Sequence, residues 1–201
     1  AEKEGYIVII LQSNESYELE KKQLDLLLRQ RVDGILISIA NTTRNFTHLS
    51  DVISQGKPLV MFDKIAKILE CSKVVIDDRK AAKVATQHLI DTGCKRIAHF
   101  RGPLLAQNSI DRFLGYKEAL EENNFTYDSS LVYICECGDS SFEEGKFNAK
   151  KLIQDHDDID GVFINTNLVA IGAFTLFTEM CIKVPDDISI VGFSNWFNYK
   201  P

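Results

Sequence analysis

The stretch Val32-Asp33-Gly34-Ile35-Leu36-Ile37-Ser38 returns in altered form as Ile159-Asp160-Gly161-Val162-Phe163-Ile164-Asn165. In each copy an Asp-Gly turn precedes three large apolar residues, and a polar residue follows. A short apolar run bounded by turn residues reads as a strand buried on both faces. Each copy follows an amphipathic helical stretch. Each leads through another helical stretch to a second apolar strand, Pro58-Leu59-Val60-Met61-Phe62-Asp63 in the first half and Ile188-Ser189-Ile190-Val191-Gly192-Phe193-Ser194 in the second. Such alternation predicts successive βα units and a parallel sheet. The chain is expected to be α/β, built as two similar halves, 1–77 and 78–201, with a crossover near residues 75–78.

Outward from the repeat, strands are predicted at 6–11, 34–39, 59–62, 74–76, 97–100, 131–135, 162–164 and 188–193. Helices are predicted at 17–31, 80–91, 109–122, 143–154 and 167–179, where apolar residues recur at helical spacing, as at Phe113, Tyr116, Ala119 and Leu120. Gly5, Gly56 and Gly93 stand where a chain leaving a helix needs a residue tolerant of positive φ. In open α/β sheets, ligands collect beyond the carboxyl ends of the strands, where loops and helix N-termini present unpaired polar groups. That rule nominates Ser38, Asp63, Asp77, Asp78, Thr166 and Ser194, each just after an apolar strand. If the halves face each other, these residues line one cleft.

Composition narrows the function. The 201 residues are 45% hydrophobic and 26% charged with four prolines, which excludes a disordered or fibrous chain. A net charge of -6 with interspersed signs offers no basic face for nucleic acid. No apolar run is long enough to span a bilayer, and the start lacks the build of a signal peptide, so a cytoplasmic chain without membrane contact is expected. Five scattered cysteines make a poor disulfide framework.

Motifs of catalysis are missing: there is no G-x-S-x-G elbow, no phosphate loop and no G-x-G-x-x-G fingerprint. Cys135-x-Cys137 lacks a second ligand pair at zinc spacing and reads as core packing. Asp155, Asp157, Asp158 and Asp160 read as a polar helix-to-strand turn and not as a calcium loop. No metal, cofactor or catalytic residue is expected, and the chain is read as a binding module.

Several segments resemble the effector-binding domain of the LacI/GalR family of transcription regulators. Val184-Pro185-Asp186-Asp187-Ile188-Ser189-Ile190-Val191-Gly192-Phe193-Ser194-Asn195 is similar to the family's V-P-x-D-[IV]-S-[VI]-[VI]-G-[FY]-D-[DN]. Arg96-Ile97-Ala98-His99-Phe100-Arg101-Gly102-Pro103 resembles R-I-A-x-[IL]-x-G-P, and Arg112 to Leu120 resembles R-x-x-G-[YF]-x-x-A-L. His88-Leu89-Ile90-Asp91-Thr92-Gly93 resembles H-L-I-x-x-G. The resemblance implies two Rossmann-like subdomains of the type I periplasmic-binding-protein kind, truncated at both ends, with a small ligand between them. It further implies a homodimer, and contact with operator DNA only through a helix-turn-helix headpiece that would precede Ala1.

Carried over residue by residue, the resemblance makes Arg112 an effector-binding arginine, whose planar guanidinium suits paired hydroxyls or a carboxylate. The competing reading of Arg112 is a salt bridge holding its helix to the sheet. Asp63 and Asn108 match polar positions of the site. Thr166-Asn167 replaces the family's frequent Asn-Asp, Ser194 replaces an Asp, and Ser140 replaces a stacking aromatic, for which Phe142 or Trp196 could substitute. Asn195 completes the candidate set. Smaller neutral groups in place of acids and a ring put an ordinary hexose in question, and a carbohydrate or derivative is the expected effector. The rivals are a periplasmic sugar-binding protein on the same fold and an α/β sugar enzyme.

Overall fold

The computed structural model describes residues 2–138 and 140–193, and its contacts divide the chain into two units, Ala1–Val74 and Val75–Pro201. In unit 1, helix α1 spans Tyr17–Arg29, strand β1 Ile35–Ile37, helix α2 Thr47–Ser54, strand β2 Leu59–Phe62 and strand β3 Ser72–Val74. The Ser16 hydroxyl oxygen accepts from the Leu19 N–H and starts α1. The strands pair in parallel in the order β1-β2-β3. Leu24 from α1 and Leu49 and Val52 from α2 close over Ile35, Leu59 and Met61 on one face. The alternate residues Leu36, Phe62 and Val74 remain exposed.

Two expectations for unit 1 need correction. Residues 6–11 form no strand, and Ile7 and Ile10 are 91% and 87% exposed. A continuous apolar run signals a wish for burial but does not name a partner, and strand pairing is a non-local choice. The strand expected at 74–76 begins instead at Ser72, because register with β2 pairs Val60 with Ser72 and Phe62 with Val74. Val75 and Ile76 are exposed beyond it.

Unit 2 contains α3 Asp78–Asp91, β4 Ile97–Arg101, α4 Gln107–Glu122, β5 Val132–Ile134, α5 Ser141–Asp155, β6 Gly161–Ile164, α6 Asn167–Glu179 and β7 Ser189–Gly192. All strand pairs are parallel, in the order β5-β4-β6-β7. Alternate strand residues feed two cores. Ala98, Phe100, Val162 and Ile164 meet Ala149 and Leu152 of α5 and Val169, Ala173 and Phe177 of α6. Ile97 and Phe163 meet Ala82 and Leu89 of α3 and Tyr116 and Leu120 of α4. The two α/β units with parallel sheets are therefore present as read.

Glycine sets the helix spacing in unit 2. A β-carbon at Gly115 would overlap the Arg79 carbonyl, one at Gly145 the Val169 carbonyl, and one at Gly172 the Phe142 carbonyl. Backbones at that separation leave no room for any side chain. On the surface, Arg79 pairs with Glu118 and Lys83 with Glu122, joining α3 to α4 at successive turns. The acidic turn before β6 is structural, since the Asp160 carboxylate accepts from the Lys95 and Arg96 N–H groups at 2.6 and 2.8 Å.

Candidate small-molecule site

Helices α4, α5 and α6 begin just beyond β4, β5 and β6, so their N-termini lie side by side at the carboxyl edge of the unit 2 sheet. Arg112, in the second turn of α4, is 9% exposed. Its Nε–H donates to Asp78 Oδ1 at 2.7 Å, its Nη1–H donates to the Asn165 carbonyl at 2.8 Å, and its Cζ lies 3.9 Å from the Phe193 ring centroid. A guanidinium so engaged ties α4 to α3 and to the end of β6, as the salt-bridge reading of Arg112 expects.

The other expected residues divide. Thr166 precedes α6 without capping it, and its hydroxyl stands 3.9 Å from the Cys137 sulfur beyond β5. Asn108 uses its Oδ1 to accept from the Ser109 N–H, closing the first turn of α4. Ser140 is exposed ahead of α5, and Phe142 is half-buried where α5 crosses α6. Asp63 belongs to unit 1, follows β2 and holds a φ of +54°, an uncommon backbone for a non-glycine residue. Ser194, Asn195 and Trp196 lie outside the described residues.

Several polar groups at the same edge were not read from the sequence. Ser109 is fully buried and Asn165 is 4% exposed, yet the Ser109 hydroxyl and Asn165 Oδ1 have no hydrogen-bond partner among the described residues. The Nδ2 of Asn167, the first residue of α6, is likewise buried and unpaired. Gly102 makes space for two of them: a β-carbon there would lie 3.1 Å from the Ser109 hydroxyl and would overlap the Asn165 amide. Asn165 had a signal, since it closes the second copy of the repeat where Ser38 closes the first. Ser109 had none beyond its place in a helix.

At the carboxyl edge of unit 1 a buried acid is instead paired, although His48 Nδ1 beside it is buried without a partner among the described residues. Glu20 is 3% exposed. Its carboxylate accepts from the Ala40 N–H at 2.5 Å, the Thr43 hydroxyl at 3.0 Å and His48 Nε2 at 2.7 Å. Glu15 accepts from the Asn41 N–H and pairs with Lys64, whose N–H is held by the Ser38 hydroxyl oxygen. These bonds fix the loop after β1, and Glu20 was hidden because an acid on a helix reads as solvent-facing.

The titratable side chains in the unit 2 core are held away from catalytic states. Burial lowers His99 to about 3 against the hydrogen bond from its ring to the Phe163 carbonyl, and neighbouring Arg101 and Arg112 lower it further. The ring stays neutral, stacked 4.6 Å from Phe163 and 4.9 Å from Tyr116. Burial pushes the Cys135 thiol up to about 12, which makes it a core residue and a poor nucleophile.

Comparison with known proteins matches residues 1–198 to the family described as periplasmic binding proteins and the sugar binding domain of the LacI family. A ribose operon repressor of Halalkalibacterium halodurans is 33% identical over 94% of this chain and 54% of its own length. The transcription regulator CcpA of Lactococcus lactis is 30% identical with a TM-score of 0.85, covering 96% of this chain and 69% of that one. The regulator CelR, solved as a cellobiose complex, is 30% identical with a TM-score of 0.77 over 88% of this chain and 53% of its own. The matched relatives are regulators and not enzymes, and the chain spans about half the length of the curated ones. The chain belongs to the family of periplasmic binding proteins and LacI-type sugar-binding domains.

Proposed function

We propose that these residues form the effector-sensing part of a cytoplasmic LacI-family transcription regulator, acting as a homodimer and reaching operator DNA through a separate helix-turn-helix segment. The effector is a small carbohydrate or derivative. The observation that carries the reading is the set of buried, unpaired polar atoms at the ends of β4 and β6, namely Ser109 Oγ, Asn165 Oδ1 and Asn167 Nδ2. Buried polar groups are nearly always satisfied by protein, water or ligand. A polyol supplies donors and acceptors in pairs and suits such a place.

In this reading Asn108, Arg112 and Thr166 contact the effector in unit 2, with Ser140, Phe142, Ser194, Asn195 and Trp196 as further candidates. An effector that binds one conformation of the sensor better than another shifts the population toward it, and operator affinity changes by linkage. Ribose and cellobiose enter as probes because of the names carried by two relatives. Isothermal titration against a panel of sugars and sugar acids is expected to find one binder whose affinity falls by about a hundredfold in Arg112→Lys, since a bidentate guanidinium is not replaced by an ammonium. Unchanged affinity in that variant removes Arg112 from the site.

A further inference from the structure

Two guanidinium groups are buried at the carboxyl end of β4, and they are treated differently. Arg112 has the Asp78 carboxylate and the Asn165 carbonyl. Arg101, the last residue of β4, is equally buried at 9% exposure, yet among the described residues it has no ion pair and no hydrogen bond. Its Cζ lies 4.4 Å from the Phe113 ring centroid, and its Nε is shielded from solvent. Burial lowers its pKa from the ordinary value, with a small opposing effect of Tyr127, but a guanidinium stays charged inside proteins. A charge largely withdrawn from water is costly to hold without a counter-ion.

Arg101 lies against the second turn of α4. Phe113 lies one helical turn beyond Ser109, whose unpaired hydroxyl faces Gly102, the residue following Arg101. Helix α4 starts at Gln107 with no side-chain cap at Ala106 and no acid in its first turn, as is also true of α2 and α6. The Asn108 Oδ1, accepting from the Ser109 N–H, answers one of the free N–H groups in the first turn of α4, and it carries no charge. The nearest acid on α4, Asp111, is already engaged by the Gln107 amide at 3.0 Å.

We propose that the end of β4 and the first two turns of α4 receive an anionic group of the effector, a phosphate or a carboxylate, through the Arg101 guanidinium, the Ser109 hydroxyl and the α4 N-terminus. This inference rests on the effector-sensing reading and specifies the chemistry of its ligand. The anion supplies the acceptor that Arg101 lacks, and the Phe113 ring beneath its Cζ holds the guanidinium in place by a cation–π contact.

Titration calorimetry with matched probes tests it: ribose against ribose 5-phosphate, glucose against glucose 6-phosphate, and glucose against gluconate. One charged member is expected to bind about tenfold or more tighter than its neutral partner, with affinity falling as salt is raised. A phosphorylated or a carboxylated winner identifies the group. Ser109→Ala weakens that winner alone, and Arg101→Leu abolishes its advantage while raising the melting temperature of the ligand-free chain. A neutral sugar that binds as tightly as its charged partner overturns the anion while leaving the effector reading intact. Failure of every probe overturns both. An Arg101→Leu chain that melts lower and keeps its preference for the charged probe makes Arg101 a structural residue and overturns the assignment.

Discussion

The two units begin from the same local pattern and finish it differently. In unit 2, four strands carry helices on both faces, so β4 and β6 are buried at every residue. In unit 1, three strands carry a core on one face, and Leu36, Phe62 and Val74 stay exposed on the other. Their polar chemistry is reversed as well. Unit 1 buries Glu20 with three partners, whereas unit 2 buries Arg101 with none among the described residues. Apolar content on both sides of a strand thus states what the strand can bury, and neighbours distant in sequence decide whether it does.

The largest test of that contrast uses two phenylalanines. Phe163 is fully buried in unit 2 and Phe62 is 44% exposed in unit 1. Phe163→Ala is expected to cost about 4 kcal/mol by urea unfolding, and Phe62→Ala no more than about 1 kcal/mol. Equal losses would show that the open face of unit 1 is covered in solution.

An intermediate effect comes from pH. His99 is near 3 in the folded chain against an ordinary value of 6.5. Above 6.5 it is neutral in both states and costs nothing. As pH falls below that value the unfolded chain takes up a proton that the folded chain refuses, so stability is lost by about 1.4 kcal/mol per pH unit until the folded value is reached. His99→Phe should flatten that part of the profile in thermal melts between pH 6.5 and 4, and an unaltered slope would place the acid sensitivity on other groups. The smallest effect belongs to the surface ladder. Lys83 and Glu122 are partly exposed, and Lys83→Ala should change unfolding stability by at most about 0.5 kcal/mol, less in high salt.

The glycines that govern helix contact show where the sequence was mute. Gly115 lies inside the R-x-x-G motif, but nothing local says that its missing β-carbon faces the Arg79 carbonyl. Gly172, within α6, is likewise the point where α5 approaches it. Boundaries followed the same logic: α6 was legible to the residue from its neighbours in the chain, while β3 moved by two residues because β2 set its register.

By itself the sequence determined the α/β class, the two units with parallel sheets and the place of five helices, but not the bounds of α2. Periodicity, turn residues and family motifs are local properties, so they survive without coordinates. Tertiary structure alone decided that residues 6–11 stay unpaired, that Glu20 is a buried anchor, and that Arg112 is engaged while Arg101 is not. Those outcomes depend on hydrogen bonds and charges contributed across 20 to 53 residues of chain, and no local pattern encodes which partner arrives.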